Sequence, residues 1–99
     1  MPQEYRREPL HALAAGDDGL DLALEILVEA PHWLAEGGLL FLELGNSWAA
    51  LDALCESLPL TWLEFAEGGH GVLCIGREDL MAAGPHFTAI AAKRRPKRV

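Results

Sequence analysis

A chain of 99 residues, about half of them apolar and carrying a formal net charge of −7, holds one domain at most, with enough apolar matter for a real core. No run is long and apolar enough to span a bilayer, and the charged start Met1-Pro2-Gln3-Glu4-Tyr5-Arg6-Arg7 is not followed by a signal-peptide core, so a cytoplasmic location is expected. Residues 1–92 hold all fifteen acidic groups against three basic ones (Arg6, Arg7, Arg77) and so carry −12, which speaks against binding of a phosphate backbone and suits a basic protein partner.

The first eighteen residues read as loop. Pro2, Pro9 and the run Gly16-Asp17-Asp18-Gly19 break regular structure, with room for one turn of helix at residues 10–15. From Leu20, apolar residues recur at Ala23, Leu24, Leu27 and Ala30, the spacing of a helix that Asp17 or Asp18 would cap. Pro31 predicts a break, and a short further turn through His32-Trp33-Leu34-Ala35 should end at Gly37-Gly38. Leu39-Leu40-Phe41-Leu42-Glu43-Leu44-Gly45 is a nearly continuous apolar run, the pattern of a strand buried on both faces.

Asn46 or Ser47 would cap a second helix from Trp48 to about Glu56, before Pro59. Leu60-Thr61-Trp62-Leu63-Glu64-Phe65 and Val72-Leu73-Cys74-Ile75-Gly76 are β-rich runs, and Gly68-Gly69-His70-Gly71 between them predicts a hairpin turn. The expected order is helix, strand, helix, strand, strand: an α/β layered sheet closed by an antiparallel hairpin. Residues 1–80 form this unit. Residues 81–99, weak in periodicity, read as a frayed helix and a basic, disordered tail with Lys93, Arg94, Arg95, Lys97 and Arg98.

Four segments, in order, carry a resemblance. They are Glu4-Tyr5-Arg6-Arg7-Glu8-Pro9, the stretch Ala12-Leu13-Ala14-Ala15-Gly16-Asp17-Asp18-Gly19-Leu20-Asp21, Glu43-Leu44-Gly45-Asn46-Ser47, and Thr61-Trp62-Leu63-Glu64-Phe65. Over residues 2–80 the chain resembles the C-terminal part of the HemK-type protein glutamine methyltransferases. The Gly45-Asn46-Ser47 step and the Glu64-Phe65 hairpin are similar to the branch that modifies a large-subunit ribosomal protein. The branch that modifies release factors is the alternative.

The resemblance implies a Rossmann-like sheet of seven strands. Residues 39–45 would be its fifth strand, 61–65 its sixth, and 72–76 its seventh, inserted between those two. It also implies S-adenosylmethionine as cofactor of the complete enzyme. The chain departs from the family at the decisive places. It has no glycine-rich cofactor loop after a first strand, no acidic ribose ligand after a second, and no Asn-Pro-Pro-Tyr tetrapeptide. That tetrapeptide matters because an amide nitrogen is a poor nucleophile and must be held within about 3–3.5 Å of the methyl group. The resemblance therefore implies a pocket wall without catalytic or cofactor-binding residues, inactive alone.

Two pairs are site candidates by this route. Glu8 and Pro9 fall on the family's substrate-side loop, against the plainer reading of a stiffened, solvated loop. Gly45 and Asn46 end a strand, where open α/β sheets bind ligands, and would line the pocket of the complete enzyme. Glu43, inside an apolar run, would be costly to bury unless it is paired or points to an edge, and a structural hydrogen bond near the strand's C-terminal end is expected. Cys55 and Cys74 read as reduced core thiols, and Trp33, Trp48 and Trp62 as core or core-edge aromatics. His11, His32, His70 and His86 form no ligand set. A missing fourth strand would leave the strand from Leu39 to Gly45 with an open edge. That edge makes the chain a candidate to pair with a separate N-terminal half or to act as a non-catalytic, self-associating module. RNA binding through residues 93–98 is the remaining alternative.

Overall fold

A computed structural model describes residues 10–14, 19–64 and 71–94. Four strands and three α-helices lie among them. In chain order they are β1 (Leu10–Leu13), α1 (Gly19–Glu29), β2 (Leu39–Glu43), α2 (Trp48–Leu54), β3 (Thr61–Leu63), β4 (Val72–Gly76) and α3 (Arg77–Arg94).

The sheet is mixed, in the order β1-β2-β4-β3. β1 runs parallel to β2, while β4 is antiparallel to both β2 and β3. The seventh-strand candidate thus inserts between the other two, as expected for the hairpin. β1 corrects the expectation for residues 10–15. Leu10-His11-Ala12-Leu13 is a strand, not a turn of helix, in register from Leu10 opposite Leu40 to Leu13 opposite Glu43. The Ala14 N–H extends the ladder by donating to the Glu43 carbonyl at 2.8 Å. The cause is non-local: an unpaired row of β2 backbone groups demands partners, and this short alternating segment supplies them.

For the same reason β2 offers no edge. It is paired on both sides, so self-association through the strand from Leu39 to Gly45 has no hydrogen-bonding groups to use. Nor is β2 buried on both faces. Leu40 and Leu42 are fully buried, whereas Leu39 and Glu43 are exposed and Phe41 is half-buried.

The core lies on one side of the sheet. Leu40 and Leu42 of β2 and Leu73 and Ile75 of β4 meet Ala23, Leu24 and Leu27 of α1, Leu51 of α2, and Leu80, Ala83 and Phe87 of α3. α1 follows its predicted stripe, with Asp21, Glu25 and Glu29 spaced four apart on the exposed side. Its continuation is a single turn of 3-10 helix, Ala30–His32, where Pro31 sits. That tighter turn suits a residue with no N–H to give. Gly37, at φ +78°, makes the bend into β2.

α2 is entered through another 3-10 turn, Gly45–Ser47. Ser47 occupies the cap position but already has helical angles (φ −77°, ψ −7°), and its side chain makes no capping hydrogen bond. A capping serine needs an extended backbone to turn its hydroxyl onto the first turn. Asp17 and Asp18, the other expected caps, lie outside the described residues.

α3 is one helix of 18 residues, where fraying from Met81 was expected. Leu80, Ala83 and Phe87 are buried at helical spacing, with Ile90 and Ala91 packed beside them. Its start is tied down. The Arg77 N–H donates to the Gly38 carbonyl at 2.9 Å, and the Arg77 Nε to the Pro31 carbonyl at 3.2 Å. The Glu78 carboxylate lies below its ordinary range because it accepts from its own N–H and then from that of Gly37 (3.2 Å). At the far end the Arg94 Nε donates to Asp21 at 2.8 Å, joining α3 to α1. Residues 95–99 lie outside the described residues.

Candidate functional site

With all three helices on one side, the other face of the sheet is uncovered by the described residues. Strand alternation and register set its composition. One cross-strand row is His11, Phe41, Cys74 and Thr61. The next, towards the carboxyl ends of β1 and β2, is Leu13, Glu43, Val72 and Leu63. These rows enclose a concavity of ≈ 530 Å³ lined by His11, Ala12, Leu13, Phe41, Glu43, Leu63 and Val72. Its floor is apolar. The His11 imidazole stacks on Phe41 with ring centroids 5.3 Å apart and planes 16° from parallel, and Glu43 contributes a carboxylate at one end.

Glu43 is therefore not buried among its apolar neighbours. Strand alternation turns it away from Leu42 and onto the open face, where it is exposed. Cys74 is likewise no core thiol but a half-buried side chain on this face, and Trp33 is 55% exposed. Trp48 and Trp62 do pack against the core, edge to face at 5.6 Å, and the Trp62 Nε1 donates to Asp52 at 2.9 Å. Cys55 is buried, and burial, aided by the Asp52 charge, pushes its thiol up to about 11.

Gly45 and Asn46 sit just past the carboxyl end of β2, exposed, and neither lines the concavity. Gly45 takes a left-handed conformation, φ +60°, and Gly71 (φ +90°) lies directly against it. A Cβ on Gly71 would fall 2.7 Å from the Gly45 carbonyl oxygen. The Leu44 N–H donates to the Gly71 carbonyl at 2.8 Å, so this contact fixes where β2 ends and Asn46 begins. Glu8, Pro9 and His70 lie outside the described residues.

Sequence reading missed His11, Leu13, Phe41 and Leu63. The available signal was Glu43: a charge two residues from Phe41 and four from Leu39 marks their shared face as something other than core. Among the described residues, no three His, Cys, Asp or Glu side chains gather where they could hold a metal ion, and no helix is long and apolar enough to cross a membrane.

No protein-family profile matches the chain, and no solved structure matches it. Curated proteins do. The ribosomal protein uL3 glutamine methyltransferase of Francisella tularensis subsp. tularensis is 52% identical over 81 residues, 82% of this chain and 26% of that protein. The proteins of the same description from Xanthomonas campestris pv. campestris and Xylella fastidiosa are each 43% identical over 94 residues, 95% of this chain and 30% of theirs. The chain thus spans less than a third of the length of these relatives. At these identities the chain is similar, over most of its own length, to a short part of the ribosomal protein uL3 glutamine methyltransferases.

Proposed function

We propose that these residues form the terminal strands and a pocket wall of a Rossmann-like, S-adenosylmethionine-dependent methyltransferase that acts on a glutamine side-chain amide of ribosomal protein uL3. The observation that carries this reading is 52% identity over 81 residues to a protein described by that activity. The sheet order, with β4 inserted between β2 and β3, is what such an assignment needs. The placement of Gly45 and Asn46 past the carboxyl end of β2 supports their role beside the substrate, since open α/β sheets bind ligands there. Glu8 and Pro9 keep the substrate-side role implied by the resemblance.

The described residues do not by themselves match the cofactor. S-adenosylmethionine presents an amino acid zwitterion, a ribose diol, an adenine edge and a sulfonium. Against these, the concavity sets one carboxylate, one imidazole and five apolar residues. No catalytic step is derived from them, and the chain alone is inactive in this reading. Titration calorimetry with S-adenosylmethionine tests it: the isolated chain should give no binding heat in the micromolar range. Micromolar affinity would overturn the assignment of the cofactor site to residues outside this chain.

A further inference from the structure

The turn Gly45-Asn46-Ser47 is held from two sides by glycines remote from it in sequence. On one side is Gly71, buried just before β4 and at φ +90°. A Cβ there would lie 2.7 Å from the Gly45 carbonyl oxygen, roughly 0.5–1 Å inside ordinary contact. On the other side is Gly19, buried at the start of α1. A Cβ there would lie 3.2 Å from the Ser47 Oγ and 3.1 Å from the Ala14 carbonyl oxygen. Two hydrogen bonds tie the backbone between them. The Leu44 N–H donates to the Gly71 carbonyl at 2.8 Å, and the Ser47 N–H to the Leu44 carbonyl at 3.2 Å. Asn46 itself stays exposed. Its carboxamide can donate and accept at once, the complement of a glutamine or peptide amide.

We infer that Gly19 and Gly71 are positioning residues: their bare α-carbons let α1 and the approach to β4 close on the turn, and this clamp fixes Asn46 for contact with the substrate amide of uL3. The inference deepens the functional reading above and rests on it for the substrate. The clamp works by shape. A side chain at either glycine pushes the turn aside, and an error of about 1 Å in placing a group beside a reaction costs roughly a hundredfold. The two positions differ in what else they demand. Gly71 also needs a left-handed backbone, so Gly71→Ala adds local strain. Gly19 lies in a helix, where alanine is the better helix former, so Gly19→Ala displaces Ser47 without weakening α1.

Two measurements test this. In the chain itself, hydrogen exchange at the Leu44 amide in Gly71→Ala, and at the Ser47 amide in Gly19→Ala, should quicken at least about tenfold relative to the Leu73 amide of the inner strand β4. In the Francisella relative carrying this chain in place of its own matched stretch, each substitution should lower kcat/KM for uL3 about tenfold or more, with KM for S-adenosylmethionine held within about twofold. Asn46→Ala should be impaired, and on that background neither glycine substitution should lower kcat/KM further, because both act through Asn46. Ala83→Gly weakens α3, whose start is tied to Gly38 at the opposite end of β2, and should lower stability without changing kcat/KM. Unaltered exchange at both amides overturns the inference, as does an Asn46→Ala chimaera as active as its parent. Losses that add to that of Asn46→Ala, or an equal loss in Ala83→Gly, also overturn it, since either marks general destabilisation. A parent chimaera that transfers no methyl group to uL3 removes the functional reading, while the exchange measurement still decides whether the two glycines clamp the turn.

Discussion

Gly71 and Cys55 show how single residues constrain this chain. Gly71 holds φ +90°, and a Cβ there would fall 2.7 Å from the Gly45 carbonyl oxygen, so no side chain fits without moving main chain. Gly71→Ala should cost about 1–3 kcal/mol from the left-handed conformation, and more from the overlap with Gly45. Urea unfolding would measure this, and a loss below about 0.5 kcal/mol would show that the two glycines are not in contact. Cys55 offers a pH signature. Its thiol is raised to about 11 in the fold, so the folded state keeps a proton that the unfolded state has released. Stability is intact below about pH 9 and falls as pH rises towards 11. Cys55→Ala should flatten that alkaline slope while lowering stability at neutral pH, which denaturant midpoints at pH 7.5 and 10.5 would reveal.

Elements differ in how far their own sequence specifies them. α1 was legible because Ala23, Leu24 and Leu27 repeat at helical spacing and Pro31 marks where the helix must tighten. β4 was legible as a β-rich run after a glycine turn. α3 was not: Gly84 and Pro85 interrupt it, and small alanines blur its stripe. What makes it a helix is Phe87, Leu80 and Ala83 burying themselves against α1 and the sheet, a gain that no local window displays. Phe87→Ala should therefore cost about 3–5 kcal/mol by chemical denaturation. A frayed α3 would give almost no loss. β1 escaped notice for a related reason: its four residues carry weak strand propensity and become a strand because β2 has an edge to satisfy.

At the scale of the whole molecule, the sequence determined the family resemblance, the α/β alternation, and the two helices and three strands from residue 20 to residue 76 apart from their end positions. It could do so because periodicity, prolines and glycines act locally, and because four ordered segments carry the resemblance. Only the tertiary structure decided which side of each strand is core. The run from Leu39 to Leu44 is apolar but for Glu43, yet with all three described helices on one side its alternate residues form a face that no other described element covers. That segregation turns Glu43 outward and leaves Leu13 and Phe41 beside a concavity, and among the described residues β1 rather than β2 lies at that edge of the sheet. Which face a helix covers depends on how the connections cross the sheet, and that is settled by packing between residues far apart in the chain.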